Sequence, residues 1–176
     1  VGVHLEPGFQ RSYPFGTLAA QVIGFTNASA VGSEGIEASY HSYLSGSAGK
    51  VVTTKGNNEM DMPFSYENYV STTPGCDVVL TLDTTVQACL EEELQKAIDR
   101  YDVQNGAFGL VMNVNTGEIL AMTTLGSYDP NAYLEIADPK ALERLEGMKG
   151  SEDYARALTD ARLKQWRTRC ISDGYE

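Results

Sequence analysis

Hydrophobic residues return every three to four positions in the later part of the chain and gather in short, nearly unbroken runs elsewhere. Val86, Leu90, Leu94, Ala97/Ile98 and Tyr101 share one side of a 3.6-residue period, which predicts an amphipathic helix of about four turns. Thr84-Thr85-Val86-Gln87 precedes it in the T-x-x-Q order of a capping box, in which two side chains serve exposed N–H groups of the first turn. Ala107–Val114 and Glu118–Leu125 are apolar runs joined through Asn115-Thr116-Gly117, the pattern of a β-hairpin. Because these runs barely alternate, they suit a sheet covered on both faces. Asp138-Pro139 opens a further helix with Leu142, Leu145 and Met148 on its apolar side as far as Gly150. Ser151 then caps a last helix to about Arg169, with Tyr154, Leu158, Ala161 and Trp166 along one side.

The earlier part has more glycine and turn residues. Gly16–Phe25 predicts a short apolar strand or a turn followed by a strand, and Ile36, Tyr40 and Tyr43/Leu44 predict one short amphipathic helix. Gly46 and Gly49 bracket a turn after that helix. Lys50–Lys55 is β-branched and strand-like, residues 56–70 read as a polar loop and an extended piece, and Asp77–Leu82 is another strand-like run. Thr73-Pro74-Gly75 punctuates the chain between apolar stretches and sets a boundary between residues 1–75 and 76–176. The fold class is therefore α+β, a hairpin sheet with packed helices.

Charge narrows the partners. The 176 residues carry a net charge of −11, with six acidic and three basic side chains in residues 1–75 and eighteen and ten in the rest. A chain so acidic lacks the basic face that phosphate backbones require, which excludes nucleic acid. The apolar runs are only a few residues long, as in Ile119-Leu120-Ala121-Met122, far below the roughly 20 needed to cross a bilayer. The chain as it stands is therefore expected to be soluble. Arg162, Lys164, Arg167 and Arg169 suit the C-terminal end of a helix and read as a solvated face. Cys76, Cys89 and Cys170 lack C-x-x-C spacing, and His4 and His41 stand in no metal-binding frame, so neither a metal nor a cofactor is expected.

Ser47-Ala48-Gly49-Lys50 matches S-x-x-K, a serine–lysine pair used by penicillin-interacting enzymes. That chemistry needs the serine at a helix start with the lysine one turn later. Gly49 and the strand formers from Val51 onward oppose such a helix, and neither S-x-N nor K-T-G accompanies the motif. The glycine clusters complete no phosphate-loop pattern, and Glu91-Glu92-Glu93 reads as a solvated helix face in which Glu92 pairs with Lys96.

Taken together, the landmarks resemble a known family. Arg11-Ser12-Tyr13-Pro14-Phe15-Gly16-Thr17-Leu18-Ala19-Ala20, followed by Val22-Ile23-Gly24-Phe25, resembles the R-x-Y-P-x-G-x-L-A-A-x-x-x-G segment of class B penicillin-binding proteins. Gly32-Ser33-Glu34-Gly35-Ile36-Glu37-Ala38-Ser39-Tyr40 with Leu44–Gly49 is similar to their G-x-x-G-I-E-x-x-Y-x-x-x-L-x-G-x-x-G element. Both motifs belong to the family's pedestal, or dimerisation, domain. Asp77–Asp83 resembles the entry into the transpeptidase domain, and Asn115–Met122 with Tyr128-Asp129-Pro130-Asn131 its first hairpin and exit. Trp166–Glu176 is similar to the stretch just before the family's serine nucleophile.

The resemblance implies a pedestal portion in residues 1–75 and the beginning of a transpeptidase domain in residues 76–176, with an incomplete sheet. Arg11, Tyr13, Pro14, Gly16, Gly35, Glu37, Tyr40, Gly46 and Gly49 become the structural pedestal motif, and no catalytic residue is expected within the chain. Arg11 and Glu37 should pair through parallel hydrogen bonds, and Tyr13 and Tyr40 should pack in the core with hydroxyl partners. The parent is implied to be a serine-type D,D-transpeptidase that binds peptidoglycan stem peptides and β-lactams. It would be anchored in the bacterial cytoplasmic membrane with its bulk outside, and would meet division, elongation or sporulation proteins. An exposed sheet edge would template pairing with a second copy as a homodimer. Two other readings stand beside this one: a serine acyl-enzyme built on Ser47 and Lys50, and a pure protein-interaction module.

Overall fold

In the computed structural model, which describes residues 10–47, 49–52, 68–103 and 106–173, the elements follow in chain order. They are α1 Ala20–Ile23, α2 Gly35–Ser39, α3 His41–Leu44, β1 Lys50–Val52, β2 Asn68–Val70, α4 Thr84–Tyr101, β3 Phe108–Met112, β4 Ile119–Thr124, α5 Pro139–Gly147, α6 Tyr154–Trp166 and α7 Arg169–Ser172. The chain divides into two compact units, one of residues up to Ser39 with those from Val79 onward, the other Tyr40–Val78. Helices accompany two separate two-stranded sheets, the expected α+β class. His4, the strand reading of residues 53–55, the loop reading of 56–67 and the final residues 174–176 lie outside the described residues.

In the larger unit, α4 carries the predicted stripe. Val86, Leu90, Leu94, Ala97 and Ile98 are shielded, while Tyr101 stands in solvent with the Arg100 guanidinium 5.5 Å from its ring centre. The helix begins one residue earlier than a capping box on Thr84 would require. Asp83 is the cap, its carboxylate accepting from Thr85 N at 2.8 Å and Val86 N at 3.0 Å. A charged acceptor there also meets the positive end of the helix dipole.

β3 and β4 form the predicted antiparallel hairpin, with Phe108 opposite Thr124 and Leu110 opposite Met122. Its turn closes through Gly117 N to Asn113 O at 2.7 Å. Leu90 and Leu94 of α4 pack over Gly109 on one face. On the other, Thr124 Oγ1 accepts from Arg169 N at 3.0 Å, and the Arg169 guanidinium lies 5.8 Å from the Phe108 ring centre. Since α7 is a single turn, it covers only one end of that face. Leu110 and Met112 stay 44% and 48% exposed, so the expectation of a sheet covered on both faces fails for β3.

The outer edge of β4 is occupied, though not by a strand. Asp77–Leu82, predicted as a strand, runs as irregular chain, and Thr81 Oγ1 donates to Ile119 O at 2.7 Å while Asp83 N donates to Leu120 O at 2.8 Å. Isolated backbone bonds of this kind do not make a ladder. Gly16–Phe25 differs too: a turn from Tyr13 to Leu18 leads into helix α1, with Ala19 in the left-handed region at φ 52°. The predicted last helix stops at Trp166, because Arg167 turns extended (ψ 129°), and α7 restarts after Thr168. Ser151 supplies a backbone carbonyl to Tyr154 N, and Asp153 holds the cap position of α6. The centre of the unit is Ala20, Phe25 and Tyr128, with Tyr13, Tyr133 and Trp166 packed around them. Phe25 stacks on Tyr133 at 4.2 Å and meets Tyr128 edge-on at 6.0 Å, arrangements worth about 0.5–1.5 kcal/mol each beyond burial.

The smaller unit opens with Tyr40 and α3; the single helix predicted from Ile36 to Leu44 is in fact two, parted at Tyr40. Gly46, at φ +62°, lies so close to the Thr73 carbonyl that an added side chain would overlap it. Ser47 and Thr73 exchange both backbone bonds at 2.9 and 3.0 Å, and β1 pairs antiparallel with β2 beyond them.

Candidate functional site

Arg11, Tyr13 and Glu37 form a junction in the larger unit. α1 and α2 meet there backbone to backbone. Gly35 adopts φ +60°, and a side chain on it would press on the Val22 carbonyl and the Gly24 amide. Glycine is thus required at Gly35 both for its dihedral and for its space. The approach sets α2 so that Glu37, 4% exposed, faces the N-terminal segment. Arg11 Nε donates to Glu37 Oε1 at 2.6 Å, with the arginine side chain half exposed and the carboxylate almost wholly buried. The contact runs through Nε rather than as the parallel two-bond fork expected. It holds the guanidinium above its ordinary proton affinity, chiefly through that hydrogen bond.

Tyr13 connects this pair to the core. Its hydroxyl accepts from Thr26 N at 2.9 Å, and burial pushes the phenol up from its usual value of 10.0. Its backbone is held by Asn131, whose Oδ1 accepts from Tyr13 N at 2.9 Å and whose amide nitrogen donates to Tyr13 O at 2.9 Å. Asp129 Oδ1 accepts from the Asn131 side-chain amide at 2.8 Å, which fixes the amide's orientation. Pro14 and Gly16 shape the turn that follows, closed by Gly16 N to Tyr13 O at 3.2 Å. Ala19 N then donates to Glu91 Oε1 at 3.0 Å, and Gln87 donates to the same oxygen at 2.7 Å. Glu91 is thereby a bonded anchor in α4, not the solvated acid expected; Glu92 does pair with Lys96, at 2.7 Å.

Of the predicted motif residues, Arg11, Tyr13, Pro14, Gly16, Gly35 and Glu37 lie in the larger unit and Tyr40, Gly46 and Gly49 in the smaller one. Tyr40 departs from expectation: it is 42% exposed beside Tyr43. Gly49 is exposed and directly precedes β1. Ser47 is exposed on a strand-like bridge with no helix behind it, so the turn that presents a serine to a lysine is not formed. The basic run is engaged: Arg162 donates to Leu134 O at 2.8 Å, and Arg167 and Arg169 both pair with Asp173. Asn131, Gln87, Glu91 and Gln165 are the participants sequence reasoning missed. For Gln87 and Glu91 the signal was present, since both fall inside the apolar stripe of α4. Among the described residues no helix is long and apolar enough to cross a membrane, and no group of histidine, cysteine and acidic side chains could hold a metal.

Residues 1–80 match the family model of the Penicillin-binding Protein dimerisation domain. The peptidoglycan D,D-transpeptidase FtsI of Escherichia coli (strain K12) is 36% identical over 132 residues, which is 74% of this chain and 22% of the relative. Stage V sporulation protein D of Bacillus subtilis (strain 168) is 34% identical over 143 residues, 81% of this chain and 22% of the relative. The chain belongs to the class B penicillin-binding proteins. The larger architecture agrees: a peptidoglycan synthetase of Bifidobacterium adolescentis superposes with a TM-score of 0.61 at 29% identity, covering 68% of this chain and 22% of that one. The chain spans about a fifth of the length of these penicillin-binding proteins. Arg11, Tyr13, Gly35 and Glu37 all fall within the stretch matched to the dimerisation domain.

Proposed function

We propose that these 176 residues are a positioning part of a peptidoglycan D,D-transpeptidase, and that they seat the start of its catalytic domain on its pedestal without themselves performing acyl transfer. Residues 1–75 would be the pedestal portion and residues 76–176 the opening of the transpeptidase domain. The observation that carries the reading is the two-bond contact of Asn131 with the Tyr13 backbone, across 118 residues of sequence. It fastens a residue of the dimerisation-domain match to one beyond it, inside one compact unit. A contact of that kind transmits orientation, which is what a pedestal supplies.

The parent would attack the D-Ala-D-Ala end of a stem peptide with an activated serine, pass the acyl group to an amine, and be acylated by β-lactams at the same serine. It would be anchored in the cytoplasmic membrane and work with division, elongation or sporulation proteins. A homodimer paired along the free edge of β3 belongs to the same reading, and light scattering across a concentration series reads it. The test of function labels the full-length gene product with a fluorescent penicillin and maps the modified peptide. Labelling at a serine outside residues 1–176 is expected; labelling at Ser47 would return the function to the Ser47–Lys50 pair.

A further inference from the structure

The chain changes direction at Trp166-Arg167-Thr168, where α6 ends and α7 begins, and Gln21 of α1 holds both sides of that corner. Its side-chain amide donates to the Gln165 carbonyl at 3.4 Å, and its own carbonyl accepts from Thr168 Oγ1 at 3.0 Å. Gln21 is 3% exposed, and a buried amide is costly to leave without partners.

Each contact replaces one that the helices would otherwise make for themselves. A carbonyl in a helix's last turn lacks its intrahelical donor. For Gln165 that donor would be Arg169 N, which goes instead to Thr124 Oγ1 at 3.0 Å. Thr168 holds the N-cap position of α7, where a threonine oxygen ordinarily accepts from the first turn. Among the described residues it makes no such bond and turns its hydroxyl to Gln21. A cap directed away from its own helix serves to fix that helix from outside.

From the corner, α7 passes directly onto the hairpin. Cys170 Sγ lies within hydrogen-bond reach of Gly109 O at 3.4 Å and Thr123 O at 3.3 Å, one carbonyl from each strand. Arg167 and Arg169 both hold Asp173. α7 has four residues, too few to keep a helical direction unaided, so these outside contacts set its orientation. Gln21 falls inside the dimerisation-domain match, and Thr168 lies 147 residues further on, beyond it.

We propose that Gln21 and Thr168 are positioning residues, through which the pedestal sets the direction of the chain at α7 and so the placement of the parent's reacting serine. The inference rests on the proposed function, under which residues 166–176 lead toward that serine. Misplacing a reacting group by about 1 Å costs on the order of a hundredfold in rate, so a loosened corner acts on the acylation step itself.

The test follows acylation of the full-length gene product by a fluorescent penicillin in stopped flow, separating the affinity of the first complex from the acylation rate. Thr168→Val keeps the shape and removes the donor; the rate is expected to fall about tenfold or more, with affinity unchanged within about twofold. Thr168→Ser, which keeps the hydroxyl, should retain the original rate. Thr159→Ala, at an exposed hydroxyl on α6, should change nothing. In the 176-residue chain, Thr168→Val should speed hydrogen exchange over residues 169–173 by about tenfold and leave α4 unaffected. If Thr168→Val does not fold, Gln21→Met decides by the same two constants. An original acylation rate in Thr168→Val, or a loss confined to affinity, overturns the proposal and leaves the proposed function standing. No acylation of the unmutated full-length protein overturns the proposed function, and this proposal with it.

Discussion

The side-chain amide of Gln87 hydrogen-bonds both backbone groups of Met122, donating to the carbonyl at 3.0 Å and accepting from the N–H at 2.9 Å. One side chain thereby does for the outer edge of β4 what a neighbouring strand would do. Gln87 is 1% exposed, so its removal leaves two strand groups and the Glu91 carboxylate short of a partner away from water. Gln87→Ala is expected to lower stability by about 1–3 kcal/mol in urea unfolding, whereas Lys96→Ala at the exposed Lys96–Glu92 pair should leave the urea midpoint nearly unchanged.

The Arg11–Glu37 pair is unequal, and its mutants should be too. Arg11→Ala strands a buried carboxylate, whereas Glu37→Gln leaves a half-exposed guanidinium that water can serve. Arg11→Ala is expected to cost about 2–3 kcal/mol, below the 3–5 of fully buried pairs, and Glu37→Gln less. A double-mutant cycle by chemical denaturation should return a coupling of about 1–2 kcal/mol.

Thr123 offers the opposite sign. It is 1% exposed, and its hydroxyl finds no hydrogen-bond partner among the described residues. Thr123→Val keeps the shape and removes the unpaired group, so a gain of about 1 kcal/mol is expected, read as a raised urea midpoint at unchanged slope.

What the sequence revealed and what it hid divide by range. The α4 stripe, the β3–β4 hairpin and the Asp138–Pro139 helix start depend on neighbours within a few residues, and each was legible. Arg11 and Glu37 carried no periodic signal and were reached through the family resemblance. Asn131 and Gln165 looked like ordinary polar positions because their partners lie 28 to 118 residues away, whereas Gln87 was read as half of a capping box although it falls inside the apolar stripe. Gln165 accepts from Ala137 N at 3.2 Å and donates to Glu135 O at 2.8 Å, again completing backbone that no strand serves. Asp77–Leu82 was misread for a related reason: its β-branched composition is real, but it reaches β4 only through Thr81 Oγ1 and the following Asp83 N, while the Gln87 side chain takes the Met122 groups that a strand would have paired with.

Alkaline pH should weaken the larger unit. Burial, with the nearby Glu34 charge second, pushes the Tyr128 phenol well above its usual 10.0, and burial raises Tyr13 as well. A group whose folded pKa lies above its unfolded value contributes stability that is complete below about pH 10 and lost as pH climbs through the folded value, since the unfolded chain releases the proton first. Unfolding free energy is therefore expected to fall above about pH 10. Tyr128→Phe should flatten that fall while costing about 1 kcal/mol at neutral pH for the lost bond to Ala20 O.

The central claim is that the chain positions a catalytic domain and performs no acyl transfer of its own. Acylation requires a serine within about 2.6–3.2 Å of a base, with donors for the oxyanion. Ser47 instead sits exposed on a strand-like bridge to Thr73, with no helix to present it to Lys50. Incubating the 176-residue chain with benzylpenicillin and weighing it intact by mass spectrometry tests the claim most directly. An unchanged mass is the expected result, and a stoichiometric adduct lost in Ser47→Ala would contradict it.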